Sequence, residues 1–500
     1  LTLSGGGTLS NTNSLVLNNA DSLLSLSGIL VIGDVDGTAA SNSGKGIKVI
    51  SSATIGDYDL SAVSYLSLAA NQTLAGQLNL QNNGELKTSG DGQYIGDIAL
   101  AGGKFSATDN QVLGGTLSIT ADSELTVSQG YTLTLSQTGG LALGANMLTL
   151  SGGGSLVSGG LTLDNASSKL VLNSITVDNV STTSDSLGLD VDADSTVTSL
   201  SVAKITPVAI ASGSSLSGGI TITAGSLKLT ETGTLASSIL MSGGTLDADN
   251  SLTVSGALTH TGNITIDVAE TKTLTYTGTA ISLGTHTLTL SGGGTFVSGG
   301  LDLDNANSKL LLSSITVDNV STSVDNSLGL DVDDDSTITS LSVAHTTPVS
   351  IASGKTLSGA ITVTAGSIKL AETGTLASSI SMSGGTLDAD NSLTVSGTLT
   401  QSGAITIDVA DTKTLTYTGT AISLGANTLT LSGGGTLSNT NALVLNDANS
   451  LLSLAGILTI GDVEGTAASN TGKGIQVSSS ATLGDYDLSA VSYLSLAANQ

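Results

Sequence analysis

The sequence predicts an all-β protein, a single-chain parallel β-solenoid with coils of about 20 residues and three short strands per coil. Three observations support this prediction. The chain repeats itself at a long and a short period, its apolar residues alternate with Ser, Thr and Gly in short runs, and large side chains are scarce. Because aromatic residues make up 2% of the chain and Trp is absent, we expect a thin core of Leu, Ile, Val and Ala.

The long period is marked by the opening segment Leu-Thr-Leu-Ser-Gly-Gly-Gly-Thr-Leu-Ser, which begins at Leu1. Nearly the same ten residues begin at Leu148, Leu288 and Leu429, and residues 429–500 match residues 1–72 at 62 of 72 positions. The glycines are interpreted as a turn that leads into the next coil, and the first two leucines as an inward-facing pair. We predict one continuous solenoid over residues 1–500, with a super-repeat over 1–428, a second copy starting at 429, and sub-modules 1–147, 148–287 and 288–428.

The short period is seen in the spacing of Thr-Leu-like pairs, which recur every 17 to 25 residues. In one such unit, residues 356–374, three apolar clusters are separated by Gly, Ser and Ala, and in the last of them Ile368 and Leu370 flank Lys369. A period of two directs the two apolar side chains inward and the lysine outward. No segment carries the apolar stripe of an amphipathic helix, and the clusters are closer together than the strands of a β-sandwich.

A single coil of this kind cannot be stable alone. Ordering ~20 residues costs roughly 30 kcal/mol of conformational entropy, which the burial of a few Leu, Ile and Val side chains hardly offsets. Stacking must supply the difference through hydrogen bonds and ladders of like side chains between coils. At ~4.8 Å per coil, the 428-residue super-repeat is expected to extend about 100 Å along a rod.

Charge and cysteine content restrict the classes of partner. All 13 basic residues are Lys and 40 residues are acidic, so the net charge is −27 and nucleic acid is not an expected partner. The chain has no Cys, so its stability must come from repetition rather than disulfides. No apolar run reaches the ~18 residues of a membrane-spanning helix, and we expect no membrane insertion of this segment.

Histidines are the usual candidates for acid–base or metal chemistry. The sister modules, however, carry other residues at the same places. The replacements are His260 by Gln401, His286 by Asn146 and Asn427, and His345 by Lys204. All three histidines are therefore interpreted as surface residues, and no catalytic or cofactor-binding residue is predicted.

Two acidic runs form the weak candidates for a metal site. They contain Asp190, Asp192 and Asp194, and Asp331, Asp333 and Asp335. Strand alternation would place each set on one outward face, where a hard cation such as Ca²⁺ would relieve the repulsion. Neither run has the Gly and Glu of an EF-hand loop, and a solvated edge is the competing interpretation. Outward Thr-x-Thr pairs raise ice binding as a further alternative, although other residue types interrupt the array.

Residues 397–407, Gly-Thr-Leu-Thr-Gln-Ser-Gly-Ala-Ile-Thr-Ile, resemble the passenger repeats of bacterial autotransporters and of filamentous-haemagglutinin-like adhesins. Units of this type cover essentially the whole chain. The resemblance implies a right-handed parallel β-helix exported to the cell surface, acting as a stalk, adhesin or filament. The regular super-repeat differs from the irregular passengers of most such proteins and is typical of a very long, duplicated array, of which this chain would be an internal segment.

The predicted function is therefore that of a non-enzymatic extracellular fibre, stalk or adhesin. Its expected partners are further copies of itself, end to end or side by side, or ligands on a host or neighbouring cell surface. The alternative is a carbohydrate-active β-helix enzyme with acidic pairs on neighbouring coils. Only residues 73–147 lack a sister copy, and the candidate site residues there are Glu85, Lys87, Asp91, Tyr94, Asp97 and Lys104.

Overall fold

In the computed structural model, which describes residues 1–28, 30–456 and 458–499, the chain divides into two compact units, Leu1–Leu258 (unit 1) and Thr259–Gln500 (unit 2). Strands are the only regular secondary structure in the described ranges. The strands of successive coils pair in parallel at an offset of about 20 residues. The predicted all-β parallel solenoid is confirmed for each unit. The continuity of one solenoid from residue 1 to residue 500 stays a prediction.

Each coil contributes to three faces, which we name faces 1, 2 and 3 in chain order. In one coil of unit 2 the strands of these faces are Thr386–Ala389, Leu393–Val395 and Leu399–Gln401. Each pairs with the strand on the same face of the preceding coil. The three predicted strands per coil are therefore present, and the coil is triangular.

Face 1 carries one strand per coil. In unit 1 its strands are Thr2–Ser4, Leu23–Ser27, Gly46–Val49, Val63–Leu68, Glu85–Ser89, Lys104–Ala107, Ser123–Val127, Met147–Ser151, Lys169–Asn173, Gly188–Ala193, Ile205–Ile210, Ser226–Leu229 and Thr245–Ala248. In unit 2 they are Ile264–Val268, Thr287–Ser291, Lys309–Ser313, Gly329–Val332, Thr347–Ile351, Ser367–Leu370, Thr386–Ala389, Ile405–Val409, Thr428–Gly433, Leu451–Leu454, Gly474–Val477 and Leu494–Leu496.

Faces 2 and 3 are formed by separate short strands in most coils. The face 2 strands are Gly7–Leu9, Leu30–Ile32, Gln93–Tyr94, Gln111–Leu113, Thr132–Leu135, Ser155–Val157, Thr234–Leu235, Leu252–Val254, Thr273–Tyr276, Thr295–Val297, Thr375–Leu376, Leu393–Val395, Thr414–Tyr417, Thr436–Asn439, Leu458–Ile460 and Ala481–Thr482. The face 3 strands are Leu15–Leu17, Val35–Gly37, Ile98–Ala101, Leu117–Ala121, Leu141–Ala142, Leu161–Leu163, Ser238–Met241, Leu258–His260, Ile281–Ser282, Leu301–Leu303, Ser379–Met382, Leu399–Gln401, Ile422–Ser423, Leu443–Leu445, Val463–Gly465 and Tyr486–Leu488.

In the remaining coils one long strand runs over both faces 2 and 3. These strands are Ala53–Leu60, Thr73–Gln81, Thr176–Thr182, Ser195–Val202, Ser215–Ile222, Thr316–Thr322, Ser336–Val343 and Thr356–Val363. The sequence pattern predicted separate strands here. The bend inside Thr356–Val363 lies at Gly359, whose φ is +118°. A Cβ atom at this position would lie 1.8 Å from the carbonyl oxygen of Ile338 in the preceding coil, so only glycine allows the strand to turn without a break.

The core consists of ladders of aliphatic side chains that lie in register from coil to coil. On face 1 of unit 1 one ladder runs through Leu125, Leu150, Leu172, Val191 and Ile210, each at most 2% exposed. The corresponding ladder of unit 2 consists of Ile266, Leu290, Leu312, Val332 and Ile351. This stacking of like side chains provides the burial that one coil lacks.

The inward positions predicted from the sequence are confirmed. Ile368 and Leu370 are at most 1% exposed, whereas Lys369 between them extends to the surface. In the repeated ten-residue motif, Leu148 and Leu150 are buried. Leu1 differs, with 68% of its surface exposed. The turn function of the glycines is supported by Gly152, which has a φ of +107°.

Differences in coil length are absorbed at the corners between faces. Between faces 3 and 1, residues 183–187 connect two strands of unit 1, and residues 323–328 connect the corresponding strands of unit 2 with one residue more. The register beyond the corner is nevertheless the same, since Leu189 pairs with Leu170 and Leu330 pairs with Leu310. An added residue at this corner therefore leaves the inward and outward positions unchanged.

Candidate functional site

The outward surface of face 1 carries lysine–aspartate pairs that join neighbouring coils. The Lys369 ammonium lies 3.0 Å from a carboxylate oxygen of Asp390 and 3.9 Å from one of Asp388. Lys228 makes the equivalent pair of contacts in unit 1, at 2.9 and 3.3 Å. Both lysines are about two-fifths exposed or less, and pairs of this kind contribute roughly 0–1 kcal/mol. Because they recur in sister modules, we assign them to coil stacking.

Asp388 lies in a crowded row of charged groups on this face. It stacks directly on Asp408 of the next coil, so two carboxylates occupy successive rungs of the same ladder. Burial raises the pKa of Asp388, and the carboxylates of Asp390 and Asp408 raise it further, against the opposing effect of Lys369. The opposing effects of these charges make Asp388 a source of pH-dependent stability.

A cleft lies on face 1 of unit 1, mostly within the stretch that has no sister copy. Its volume is about 390 Å³, and it is lined by Val63, Asn83, Gly84, Glu85, Gly102, Gly103, Lys104, Asp122, Ser123, Glu124, Met147 and Thr149. Glu85, Lys104 and Glu124 occupy successive rungs of the face 1 ladder along this cleft. The charges therefore alternate along the cleft.

These three charged groups are held by one another and by nearby hydroxyls. The Lys104 ammonium donates to Glu124 Oε1 at 2.7 Å, and Ser106 Oγ donates to Glu85 Oε1 at 2.7 Å. Burial opposes the ionisation of Glu124, but Lys104, Thr126 and Ser151 outweigh it, and the pKa of Glu124 lies below its ordinary value. A general acid of a glycosidase needs a raised pKa, so Glu124 is suited to an ion pair rather than to proton donation.

The remaining candidates of the enzyme hypothesis lie elsewhere on the coil. Tyr94 belongs to face 2, is buried, and donates its hydroxyl to the Gly76 carbonyl at 2.9 Å, and burial raises its pKa. Asp97 lies at the corner before face 3, where hydrogen bonds from the Thr116 amide and hydroxyl lower its pKa. Asp91 lies exposed at the corner between faces 1 and 2. The structure brings only Glu85, Lys87 and Lys104 to one face, and it adds Asp122 and Glu124.

Sequence reasoning missed Glu124 because it considered each coil separately. The signal was available in the spacing, since Lys104 and Glu124 are both outward positions of face 1 strands one coil apart. The same offset relates Lys228 to Asp247 and Lys369 to Asp388. Aligning coils by their inward residues would have revealed each of these pairs.

The aspartates of the first acidic run are engaged in contacts within the protein. Asp190 pairs with Lys169 at 2.5 Å, and Asp194 Oδ1 accepts hydrogen bonds from the Ser215 amide and hydroxyl at 2.8 and 3.0 Å. Asp192 extends to solvent from the same strand as Asp190. Asp190 and Asp192 thus share an outward face, as alternation predicted, but Asp194 lies beyond the strand.

The second run differs from the alternating pattern. Asp331 belongs to the strand Gly329–Val332 and pairs with Lys309, whereas Asp333 and Asp335 lie in the corner that follows. Asp335 Oδ1 accepts from the Thr356 amide at 2.8 Å. The strand ends at Val332, so the expected row of three carboxylates on one face does not form. No group of three or more His, Asp or Glu side chains in the described ranges is arranged to hold a metal ion.

Asp334 lies between Asp333 and Asp335 in this corner and is the acidic residue there that pairs most closely with a lysine. The Lys355 ammonium donates to Asp334 Oδ1 at 2.6 Å. This contact, together with hydrogen bonds from the Asp335 amide and Ser314, lowers the pKa of Asp334 to about 2. The carboxylate is therefore ionised at all physiological pH values and serves as a coil-to-coil contact.

The three histidines occupy two different environments. His345 lies 3.5 Å from Asp325 Oδ1 across a corner of unit 2. His260 and His286 instead lie together, with ring centroids 5.6 Å apart and planes inclined by 69°. Both are half-buried. The interpretation of the three histidines as surface residues did not foresee the contact between His260 and His286.

Comparison with known protein families, with curated proteins and with solved structures finds no match for this chain. Assignment of function therefore depends on the fold and on the contacts described above. None of the described residues forms a helix with the length and apolar character needed to cross a membrane.

Proposed function

We propose that the chain is a segment of a non-enzymatic extracellular structural fibre, stalk or adhesin, in which stacked β-coils provide length and stiffness and display a repeating polar surface. The observation that carries the proposal is the in-register stacking of coils. Within each unit, aliphatic ladders continue from coil to coil on face 1, and the parallel strands pair on all three faces.

The distribution of polar groups supports a structural role. Lys228 and Lys369 on face 1 each pair with aspartates of the next coil, and these two pairs occupy equivalent coils of the two units. An enzyme needs one unique constellation, whereas a fibre needs the same contact repeated. The absence of Cys suits a protein that is stable outside the cell through stacking alone.

The proposed partners are further copies of the chain or ligands on a cell surface. The net charge of −27 makes lateral approach of two copies unfavourable at low ionic strength. Divalent cations that bridge the outward carboxylates would reduce this repulsion. Lateral association would then depend on the ionic composition outside the cell.

Negative-stain electron microscopy of the purified chain tests the proposal. A fibre segment gives elongated particles one coil wide, with a rise of ~4.8 Å per coil. Compact particles, or a frictional ratio in sedimentation velocity typical of a globular protein, would contradict it.

An activity assay on acidic and neutral polysaccharides provides the complementary test. We expect no products. Release of oligosaccharides that is lost in Asp97→Ala or Glu124→Ala, with unchanged circular dichroism, would support the enzyme alternative and refute the structural one.

A further inference from the structure

The two neighbouring histidines of unit 2 come from successive coils. His260 lies at the end of the face 3 strand Leu258–His260, and His286 precedes the face 1 strand Thr287–Ser291 one coil later. Their ring centroids are 5.6 Å apart. Each ring is partly open to solvent.

His260 has an unusual set of partners. Its Nδ1 lies 3.2 Å from the carbonyl oxygen of Gly262, and its Nε2 lies 3.0 Å from the carbonyl oxygen of Ser282. A neutral imidazole has one N–H group, and a carbonyl oxygen has none. When Nδ1 donates to Gly262, the lone pair of Nε2 therefore faces the lone pairs of the Ser282 oxygen. A cation between these two atoms would convert the repulsion into two favourable contacts.

We propose that His260, His286 and the Ser282 carbonyl oxygen bind one divalent transition-metal ion, of the class of Zn²⁺, Ni²⁺ or Cu²⁺. Imidazole nitrogen is a preferred ligand of these metals. With metal–nitrogen distances of about 2.1 Å, two imidazoles on one ion have ring centroids about 5–6 Å apart, as these two have. Two ligand atoms 3.0 Å apart, as His260 Nε2 and Ser282 O are, match adjacent positions around such an ion.

The surroundings orient the first ligand. In the tautomer that carries its proton on Nδ1, His260 donates to the Gly262 carbonyl and presents Nε2 to a metal, which is the usual second interaction of a metal-binding histidine. The remaining coordination positions would be filled by water, since the described residues supply no third acidic or imidazole ligand.

A negative charge lies next to the site. Asp304 accepts a hydrogen bond from the Ser282 hydroxyl and another from the Gly284 amide, the latter at 2.8 Å. Burial opposes its ionisation, but the hydrogen bonds from Ser282, Gly284 and Ser308 outweigh it and keep its pKa below the ordinary value. The ionised carboxylate and the net charge of −27 both attract a cation.

Unit 2 also contains the same arrangement without histidine. Gln401 and Asn427 occupy the equivalent positions, and their amide groups both donate to the Leu424 carbonyl oxygen, at 2.9 and 3.0 Å. The fold therefore accepts amides at both places, and it places the two side chains against one backbone segment. This natural counterpart supplies the substitutions for a test that leaves the coil intact.

The experiment uses the full chain freed of metal by a chelator, together with His260→Gln, His286→Asn and, as a remote control, His345→Lys. Each variant introduces the residue found in a sister module. Isothermal titration with ZnCl₂ and electron paramagnetic resonance with one equivalent of Cu²⁺ are measured at pH 7.5. Thermal unfolding by circular dichroism confirms that the variants are folded.

We expect one tight Zn²⁺ site and a Cu²⁺ spectrum with hyperfine coupling to imidazole nitrogen. His260→Gln and His286→Asn should each weaken binding at least tenfold, and His345→Lys should leave it unchanged. A Cu²⁺ spectrum of the unmodified chain without nitrogen coupling would overturn the proposal, as would equal Zn²⁺ affinity in all four proteins. Neither outcome bears on the fibre proposal, which rests on coil stacking.

Discussion

Truncation of one rung in a core ladder tests whether stability comes from stacking. Leu170 has no exposed surface and lies between Leu148 and Leu189 on face 1. Leu170→Ala removes three carbons, worth about 0.8 kcal/mol each, and leaves a cavity between two coils. We expect the free energy of unfolding to fall by about 2–5 kcal/mol. The matched control is Leu187→Ala, at a corner one coil later, where the side chain is 55% exposed and the loss should be about 1 kcal/mol or less.

Urea denaturation followed by circular dichroism gives the size of the loss, and hydrogen exchange with mass spectrometry gives its location. Because a coil contacts only its neighbours, protection should decrease first in the strands that pair with residue 170, Met147–Ser151 and Gly188–Ala193. Equal losses for Leu170→Ala and Leu187→Ala would refute the reasoning, since burial would then not determine stability. Loss of protection spread evenly over unit 1 would refute its nearest-neighbour character.

Four further predictions concern charge and backbone. The folded-state pKa of Asp388 lies above the ordinary carboxyl value, so the free energy of unfolding should increase as pH falls through that pKa. Urea denaturation at a series of pH values measures this gain, and Asp388→Asn should lack it. Asp334, with a pKa of about 2, should contribute stability that is lost between about pH 4 and pH 2, and Asp334→Asn should lack this loss. Gly359→Ala should cost about 3 kcal/mol or more, because its Cβ would meet a backbone oxygen, whereas Gly354→Ala, at a φ of +76° with open space around it, should cost about 1 kcal/mol, as measured by urea denaturation. Millimolar Ca²⁺ should increase light scattering of the intact chain more than NaCl at equal ionic strength, and an equal response would argue against carboxylate bridging.

The fold could be predicted from the sequence because the same pattern of inward and outward residues applies to every coil. Alternation within short apolar clusters identifies the inward residues, and the inward prediction for Ile368 and Leu370 is confirmed. Alternation cannot show where a strand ends. For this reason the prediction that Asp331, Asp333 and Asp335 lie on one outward face was wrong. The fused strand Thr356–Val363 was missed for a related reason, since Gly359 looks like a strand breaker unless its φ is known.

The candidate sites were harder to predict because they form between coils. The pairing of His260 with His286 joins residues 26 positions apart, more than the average coil length, since the chain also passes a corner between them. Comparison of sister modules argued against a functional role for either histidine, since the equivalent positions hold amide side chains. That comparison identifies positions that tolerate exchange, but it does not reveal that two exchangeable residues contact each other.

The corner between faces 3 and 1 has a consequence for how such a chain can change over time. A single inserted residue inside a strand would reverse inward and outward positions for the rest of that strand, whereas residues 323–328 absorb one with no effect on the pairing of Leu310 with Leu330. The structural effect of an inserted residue at this corner is thus confined to the coil that contains it. A gene encoding this protein can therefore gain a residue at this corner without a compensating change in the strands on either side.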